Sequence, residues 1–275
     1  MSVESAAAEY KEFRDFLAKA CGIVLGDNKQ YLVASRLKKL MSEEKIDNLG
    51  HLISKLQQFS NRALKESVVD AMTTNETLWF RDSHPFNIMK ERLLPELKSS
   101  NRPIRIWSAA CSSGQEPYSI SMMTEEFSKS NPGALKQSVE IVATDLSRSM
   151  LECCKDAEYD SLSLGRGLSQ ERLKQFFEPG SGGVWRVKKE ISRRVRFQPL
   201  NLMDSYASLG KFDIIFCRNV LIYFSAELKT DIFRRLHGSL RPGGYLILGA
   251  SESLVGSTDL FDMVQCRPGI VYRSK

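Results

Sequence analysis

The segment Arg105–Ile120, RIWSAACSSGQEPYSI, places two serines, one glycine and a carboxylate between an apolar run and a helical run. A strand–loop–helix of this kind offers backbone N–H groups to a ligand at the helix N-terminus. The loop has no G-x-G-x-x-G and no G-x-x-x-x-G-K-[ST], and it contains no lysine. Glu116 in the first turn would repel a phosphate and suit a cation. Further candidates follow the other apolar runs, because open α/β sheets bind ligands beyond the carboxyl ends of their strands. These are Asp145, Asn201 with Leu202, and Arg218 with Asn219. An acid ending the second strand commonly holds both ribose hydroxyls of a nucleoside. The competing role for Asp145 is N-cap of a helix over 146–155, but Ser147 can serve that helix instead.

The elements that must position these residues are legible as a change of texture at Pro103. Before it, apolar residues recur at helical spacing: Tyr10, Phe13, Leu17 and Ala20 mark one buried face. Asp27 or Asn28 is expected to cap a second helix running to about Glu44, with Leu32, Leu37, Leu40 and Met41 inward. Two more helices fit Leu49–Phe59 and Arg62–Met72. This defines a helical domain over 1–75, and 76–100 reads as a linker with a helix at Arg92 to Leu97. Beyond it, Ile104–Ala109, Val139–Thr144, Phe212–Cys217 and Tyr245–Gly249 alternate with helical stretches, the pattern of parallel strands with crossovers. Met263–Cys266 and Ile270–Arg273, joined at Pro268-Gly269, read as a terminal antiparallel hairpin. The glycine-rich stretch and mixed charges of 178–198 read as a small antiparallel insertion within a domain over 101–275.

Composition narrows the function. The 275 residues are 42% hydrophobic, enough for packed cores. Apolar runs fall far short of the ~20 residues of a membrane helix, and MSVESAAAEY lacks the features of a signal peptide. Six scattered cysteines without C-x-x-C, and three histidines, argue against a metal site and fit a reducing cytoplasm. The net charge of +6 suits an acidic partner. A nucleoside ligand that lacks phosphate and carries a positive sulfonium and an amino group is S-adenosylmethionine. The loop with one glycine and one acid fits it better than a dinucleotide or a nucleoside triphosphate.

Five ordered blocks carry a resemblance. TTNETLWFRD (73–82), WSAACSSGQEPYSI (107–120), IVATDLS (141–147), FQPLNL (197–202) and FDIIFCRNVLIYF (212–224) closely resemble the CheR family of chemotaxis receptor methyltransferases. Gln115 stands where that family usually has an acid. The resemblance implies a class I S-adenosylmethionine-dependent methyltransferase sheet, Rossmann-like, with the small β-subdomain inserted and an all-helical N-terminal domain. It also implies that Asn75, Thr77, Arg81, Glu116, Asp145, Asn201, Leu202, Arg218 and Asn219 bind the cofactor. Arg81 and Tyr223 are then the catalytic candidates, Tyr223 facing the methyl group. The implied reaction is methyl transfer to glutamate side chains of chemoreceptors, leaving S-adenosylhomocysteine and a methyl ester, in chemotactic adaptation.

Two basic features suit such an acidic substrate. Arg36, Lys38 and Lys39 lie on the second helix, and Arg186–Arg196 holds six basic residues and one acid, among them Lys188, Lys189 and Arg193. The expected partner is the cytoplasmic helical bundle of transmembrane chemoreceptors, met by a monomeric enzyme. In this family the β-subdomain can also dock a receptor C-terminal peptide by strand addition. Two rival readings are a nucleic-acid methyltransferase and a non-catalytic cofactor-binding adaptor. CRNVLIYF stands where base-modifying amine methylases have D/N-P-P-Y, which disfavours nucleic acid.

Overall fold

The computed structural model describes residues 3–254 and 256–275. It divides into two compact units, Met1–Thr74 with Tyr223–Lys229, and Asn75–Ile222 with Thr230–Lys275.

The first unit is helical: α1 Val3–Cys21, α2 Gln30–Glu43, α3 Leu49–Gln57 and α4 Arg62–Met72. Tyr10, Phe13, Leu17 and Cys21 bury one face of α1, with Ala20 only half-covered. The expected cap of α2 is corrected. Lys29 occupies the N-cap without a side-chain bond, and Asp27 instead pairs with Arg14. On α2 the buried residues are Val33 and Leu37, whereas Leu32, Leu40 and Met41 are half-buried. Asn48 caps α3, its side chain accepting the His51 N–H at 2.8 Å.

The second unit begins with an irregular stretch over 75–82, turned at its end, followed by α5 His84–Ile88 and α6 Leu94–Leu97 with a π-turn at Met89–Leu93 between them. The helix expected from Arg92 therefore starts two turns earlier. β1 Ile104–Ala109 leads through α7 Gln115–Ser130 to β2 Val139–Asp145 and α8 Arg148–Asp156. After β3 Glu158–Tyr159 come α9 Ser161–Leu164, α10 Gln170–Phe176, β4 Phe177–Pro179, β5 Trp185–Val187, α11 Lys189–Ser192 and β6 Val195–Pro199. β7 Phe212–Cys217, α12 Ala226–Ser239, β8 Leu240–Leu248, β9 Phe261–Cys266 and β10 Gly269–Ser274 complete the chain.

The seven-stranded sheet has the order β6-β2-β1-β7-β8-β10-β9. Its first five strands are parallel, and β10 runs antiparallel to both β8 and β9. The unbroken burial of β7 follows from helices covering both faces of a parallel sheet. Chain order reverses between β1 and β7, which makes their carboxyl ends the switch point. The small antiparallel sheet, order β3-β5-β4, differs from the insertion read over 178–198. It draws in Glu158–Tyr159, and Val195–Pro199 leaves it to pair with β2 as the parallel edge strand of the main sheet.

Candidate functional site

The cofactor-loop candidates gather at the carboxyl ends of β1, β2 and β7. Asp145 ends β2, only 7% exposed, and its carboxylate accepts the backbone N–H of Ser112 at 2.7 Å and of Ser147 at 2.9 Å. It is thus a clamp between the loop after β1 and the turn after β2. Ser147 caps α8 through Met150 N–H at 3.1 Å, which leaves Asp145 out of the capping role. A carboxylate has about four acceptor positions, so backbone and ligand donors can share it.

The loop itself is held in an uncommon conformation. Ala110 and Ser112 have φ of 61° and 50°, and Gly114, the N-cap of α7, has φ of 94°. A Cβ at Gly114 would stand 2.8 Å from the Tyr159 hydroxyl, so only glycine fits. Tyr159 donates to the Ser113 carbonyl at 2.7 Å, and Tyr118 to that of Cys154 at 2.6 Å. Burial pushes both phenols well above their ordinary pKa, so each acts as a neutral donor. The Cys111 thiol is likewise raised by burial and stays protonated, a packing residue rather than a nucleophile.

Glu116 is engaged on both oxygens, accepting from Ser108 Oγ at 2.8 Å and Arg218 Nη1 at 2.9 Å. The guanidinium of Arg218 also donates to Asp82 Oδ2 at 2.7 Å and to the Arg81 carbonyl at 2.8 Å. Its side chain is 1% exposed. Arg218 is therefore a buried post joining the 75–82 stretch, α7 and the end of β7. Two carboxylates around one guanidinium leave the trio with a net negative charge. That answers the electrostatic question set by Glu116, since a sulfonium and an ammonium suit such a site and a phosphate does not. The residues present therefore fit S-adenosylmethionine.

The 75–82 stretch is fixed by backbone contacts. The Asn75 carbonyl accepts Ser112 Oγ at 2.8 Å, Trp79 N–H donates to the Arg166 carbonyl at 3.0 Å, and Phe80 N–H to Ser119 Oγ at 3.1 Å. Thr77 and Arg81 are half-buried, and Arg81 Nη1 reaches the Glu76 carbonyl at 3.2 Å. Beyond β6, Asn201 Oδ1 accepts the Met203 N–H at 3.0 Å, and Leu202 is buried at 6% exposure. Asn219 follows Arg218 with φ of 58°. Tyr223 ends a single 3₁₀ turn, Leu221–Tyr223, and groups with the helical unit, its carbonyl accepting the Val24 N–H at 2.9 Å.

Sequence reasoning missed Glu252. Its carboxylate collects four backbone donors: Asn219 N–H at 2.7 Å, Gly249 at 2.9 Å, Val220 at 3.0 Å and Leu221 at 2.8 Å. It shapes the turn that carries Asn219. The local signal was a lone acid shortly after a strand, in GASESL, which by itself points nowhere.

The basic candidates separate. Arg36 is spent on the end of α4, donating to the carbonyls of Met72 at 2.5 Å and Thr73 at 2.9 Å. Lys188 Nζ donates to the Gln175 carbonyl at 2.6 Å, at the end of α10. Both are C-terminal caps. Lys38, Lys39, Lys189 and Arg193 are exposed. Among the described residues no group of histidine, cysteine and acidic side chains could hold a metal ion, and no helix is long and apolar enough to cross a membrane.

Comparison with known proteins identifies the family. The family model described as "CheR methyltransferase, SAM binding domain" matches residues 75–270, and "CheR methyltransferase, all-alpha domain" matches 8–73. "Chemotaxis protein methyltransferase 1" of Pseudomonas aeruginosa is 61% identical over 275 residues, covering 99% of this chain and 100% of that relative. "Chemotaxis protein methyltransferase Cher2" of Pseudomonas putida is 60% identical over 269 residues, covering 97% and 98%. The "Chemotaxis protein methyltransferase" of Salmonella typhimurium is 35% identical over 250 residues, covering 90% and 84%. With both domains matched in order and relatives similar over nearly their whole length, the chain belongs to the CheR methyltransferase family.

Proposed function

We propose that this protein methylates glutamate side chains of chemoreceptors, forming methyl esters in chemotactic adaptation. The observation that carries the reading is the net-negative cradle of Asp82, Glu116 and Arg218 beside the strand-end acid Asp145, in a chain whose relatives are chemotaxis methyltransferases over their full length. When bound, S-adenosylmethionine supplies the methyl group and, in its sulfonium, the leaving group. Asp145 accepts the ribose hydroxyls. Glu116 and Asp82 set the negative potential for the ligand's amino group, with Arg218 holding both acids in place. Asn75, Thr77, Asn201, Leu202 and Asn219 line the remaining contour of the ligand.

A glutamate substrate with pKa near ~4.3 is ionised at neutral pH, so the reaction needs no general base. The protein's task is in-line positioning, worth roughly 7–11 kcal/mol. We assign that task to Arg81, which attracts the substrate carboxylate, and to Tyr223, which orients it through its hydroxyl. The receptor's acidic helical bundle, on the cytoplasmic side, is drawn by Lys38, Lys39 and Lys189, because Arg36 and Lys188 are committed to helix ends. The small sheet offers edge strands of only two and three residues, so charge rather than strand addition carries receptor attraction.

Incubation with radiolabelled S-adenosylmethionine and receptor-enriched membranes tests the reading. Base-labile label on receptor protein is expected. Label on nucleic acid, or cofactor binding without turnover, would overturn it in favour of the base methylase or the adaptor.

A further inference from the structure

The amino ends of the parallel strands carry a second concavity that methyl transfer does not use. It opens beside the starts of β1, β2 and β6 and the later turns of α7, with a volume of about 490 Å³. That lies within the roughly 300–1,000 Å³ of small-molecule sites. The cofactor loops follow the opposite ends of these strands, and a six-residue strand such as β1 spans about 20 Å at ~3.3 Å per residue. The two sites are therefore separate.

Four arginines line this groove, Arg105, Arg193, Arg194 and Arg196, against one carboxylate, Glu140. Glu140 is taken by Arg105 Nε at 3.5 Å, and Arg105 is further held by the carbonyls of Leu209 and Lys211. Arg194 pairs with Glu125 through Nη2, but its buried Nη1 has no partner. Arg193 and Arg196 are exposed, and among the described residues their side chains form no hydrogen bond or ion pair. Ser128, Gln137 and Ser138 add polar lining. Two of the four guanidinium groups, Arg193 and Arg196, thus stand in the groove without an acid, and a third, Arg194, keeps one donor nitrogen unanswered.

A single carboxylate offers two oxygens and one charge, enough for one guanidinium fork. A phosphoryl group offers three acceptor oxygens and a charge near −2, which matches several forks at once. No aromatic side chain lines the groove, so nothing there stacks on a nucleobase. We propose that this groove is a second ligand site, for a small molecule bearing two or more phosphoryl groups. The ligand is recognised through those groups alone, whether they come as free polyphosphate or as the phosphate chain of a nucleotide.

Calorimetric titration of the full chain with inorganic tripolyphosphate tests this, with ATP in a parallel arm. Saturable one-to-one binding is expected, falling at least tenfold in the double variant Arg193→Ser/Arg196→Ser. S-adenosylhomocysteine affinity and thermal midpoint should not change in that variant, since both side chains are exposed and unpaired. Equal affinities for tripolyphosphate and ATP are expected, since phosphoryl groups are the whole determinant, and ATP binding at least tenfold tighter would overturn recognition through those groups alone. The proposal is overturned if tripolyphosphate does not saturate, or if the double variant binds it as wild type does. It is also overturned if citrate binds equally well, or if S-adenosylhomocysteine competes with tripolyphosphate. None of these readouts depends on methyl transfer, so the outcome stands apart from the proposed activity.

Discussion

The two ends of the parallel sheet are built on different principles. At the carboxyl end, and in the 75–83 stretch joined to it, six non-glycine residues adopt positive φ: Phe80, Asp82, Ser83, Ala110, Ser112 and Asn219. Such conformations cost on the order of 1–3 kcal/mol each and persist only where the surroundings over-determine them. Here Asp145, Glu252 and Arg218 supply the determination by binding backbone groups directly. The amino end shows ordinary backbone held by side-chain charge. Asp213, buried in β7, accepts from Arg102 at 2.9 Å, Arg241 at 2.6 Å and the Arg105 N–H at 2.8 Å. One end fixes a shape for a ligand, and the other balances charges and leaves some arginines over.

Removing a charged post should break that contrast most severely at Arg218. Arg218→Ala leaves Asp82 and Glu116 without their cation, one of them largely buried. Stripping one partner from a buried pair costs about 3–5 kcal/mol. A fall of that size in unfolding free energy is expected from urea titration. Arg218→Lys should recover only part of it, because an ammonium cannot span both carboxylates and a carbonyl as the fork does. A loss below ~1 kcal/mol for the alanine variant would show that the trio is solvated rather than structural.

Asp145→Ala comes next. Losing a charged acceptor for ribose hydroxyls is worth about 1.5–3 kcal/mol, so S-adenosylhomocysteine affinity should fall at least tenfold and up to about a hundredfold by calorimetry. The clamp geometry adds a second consequence. The Ser112 and Ser147 N–H groups lose their acceptor, so the thermal midpoint should drop as well. Asp145→Asn, keeping one acceptor oxygen, should fall between. Weakened binding with an unchanged midpoint would mean that the loop does not need the clamp.

The sequence exposed the ligand end because apolar strands announce their own termini. Ile104–Ala109 and Phe212–Cys217 are mostly apolar runs, and the polar residues that follow them are candidates by position alone. Partners remote in sequence leave no such trace. Glu252 reaches Asn219 across 33 residues, and no local pattern marks that pairing. The 195–199 segment reads as part of the antiparallel insertion because sequence pattern reports a half-covered strand and not the direction of its neighbour. Arg36 and Lys188 looked like patch residues because a charge count cannot see the helix carbonyls they cap. Asp27 reads as a cap for the same reason, its partner Arg14 lying on α1.

Glu252 sharpens the comparison on a smaller scale. Glu252→Gln keeps the volume but replaces one acceptor oxygen by a donor, so at least one backbone N–H around Asn219 meets an NH₂ group. A destabilisation of about 1–2 kcal/mol is expected from the lost acceptor. Turnover with saturating cofactor should fall more than stability predicts if the Asn219 turn is what needs shaping. Equal loss in both would reduce Glu252 to a fold-keeping residue.

The smallest effect belongs to the amino end and appears with pH. Desolvation pushes the Glu125 carboxyl up, but its hydrogen bond with Arg194 and the nearby Lys129 more than reverse that, so its pKa lies below the ordinary value. A depressed folded pKa stabilises above the unfolded value of ~4.3, and that stabilisation is lost as pH falls through the folded value. Glu126, held by Arg172 and Lys90, is lowered in the same sense and titrates in the same window. Glu125→Gln isolates the first pair. At neutral pH the variant should lose about 1 kcal/mol or less, as partly exposed ion pairs do. Between pH 5 and 3 its stability should decline less steeply than that of the wild type, because one of the two lowered carboxylates no longer takes up a proton. The same substitution releases Arg194 beside the arginine groove, so tripolyphosphate affinity at neutral pH should rise by a few-fold. Parallel pH profiles for variant and wild type would show the Arg194–Glu125 contact to be energetically silent, leaving the charge balance of that end to Asp213 and Glu140.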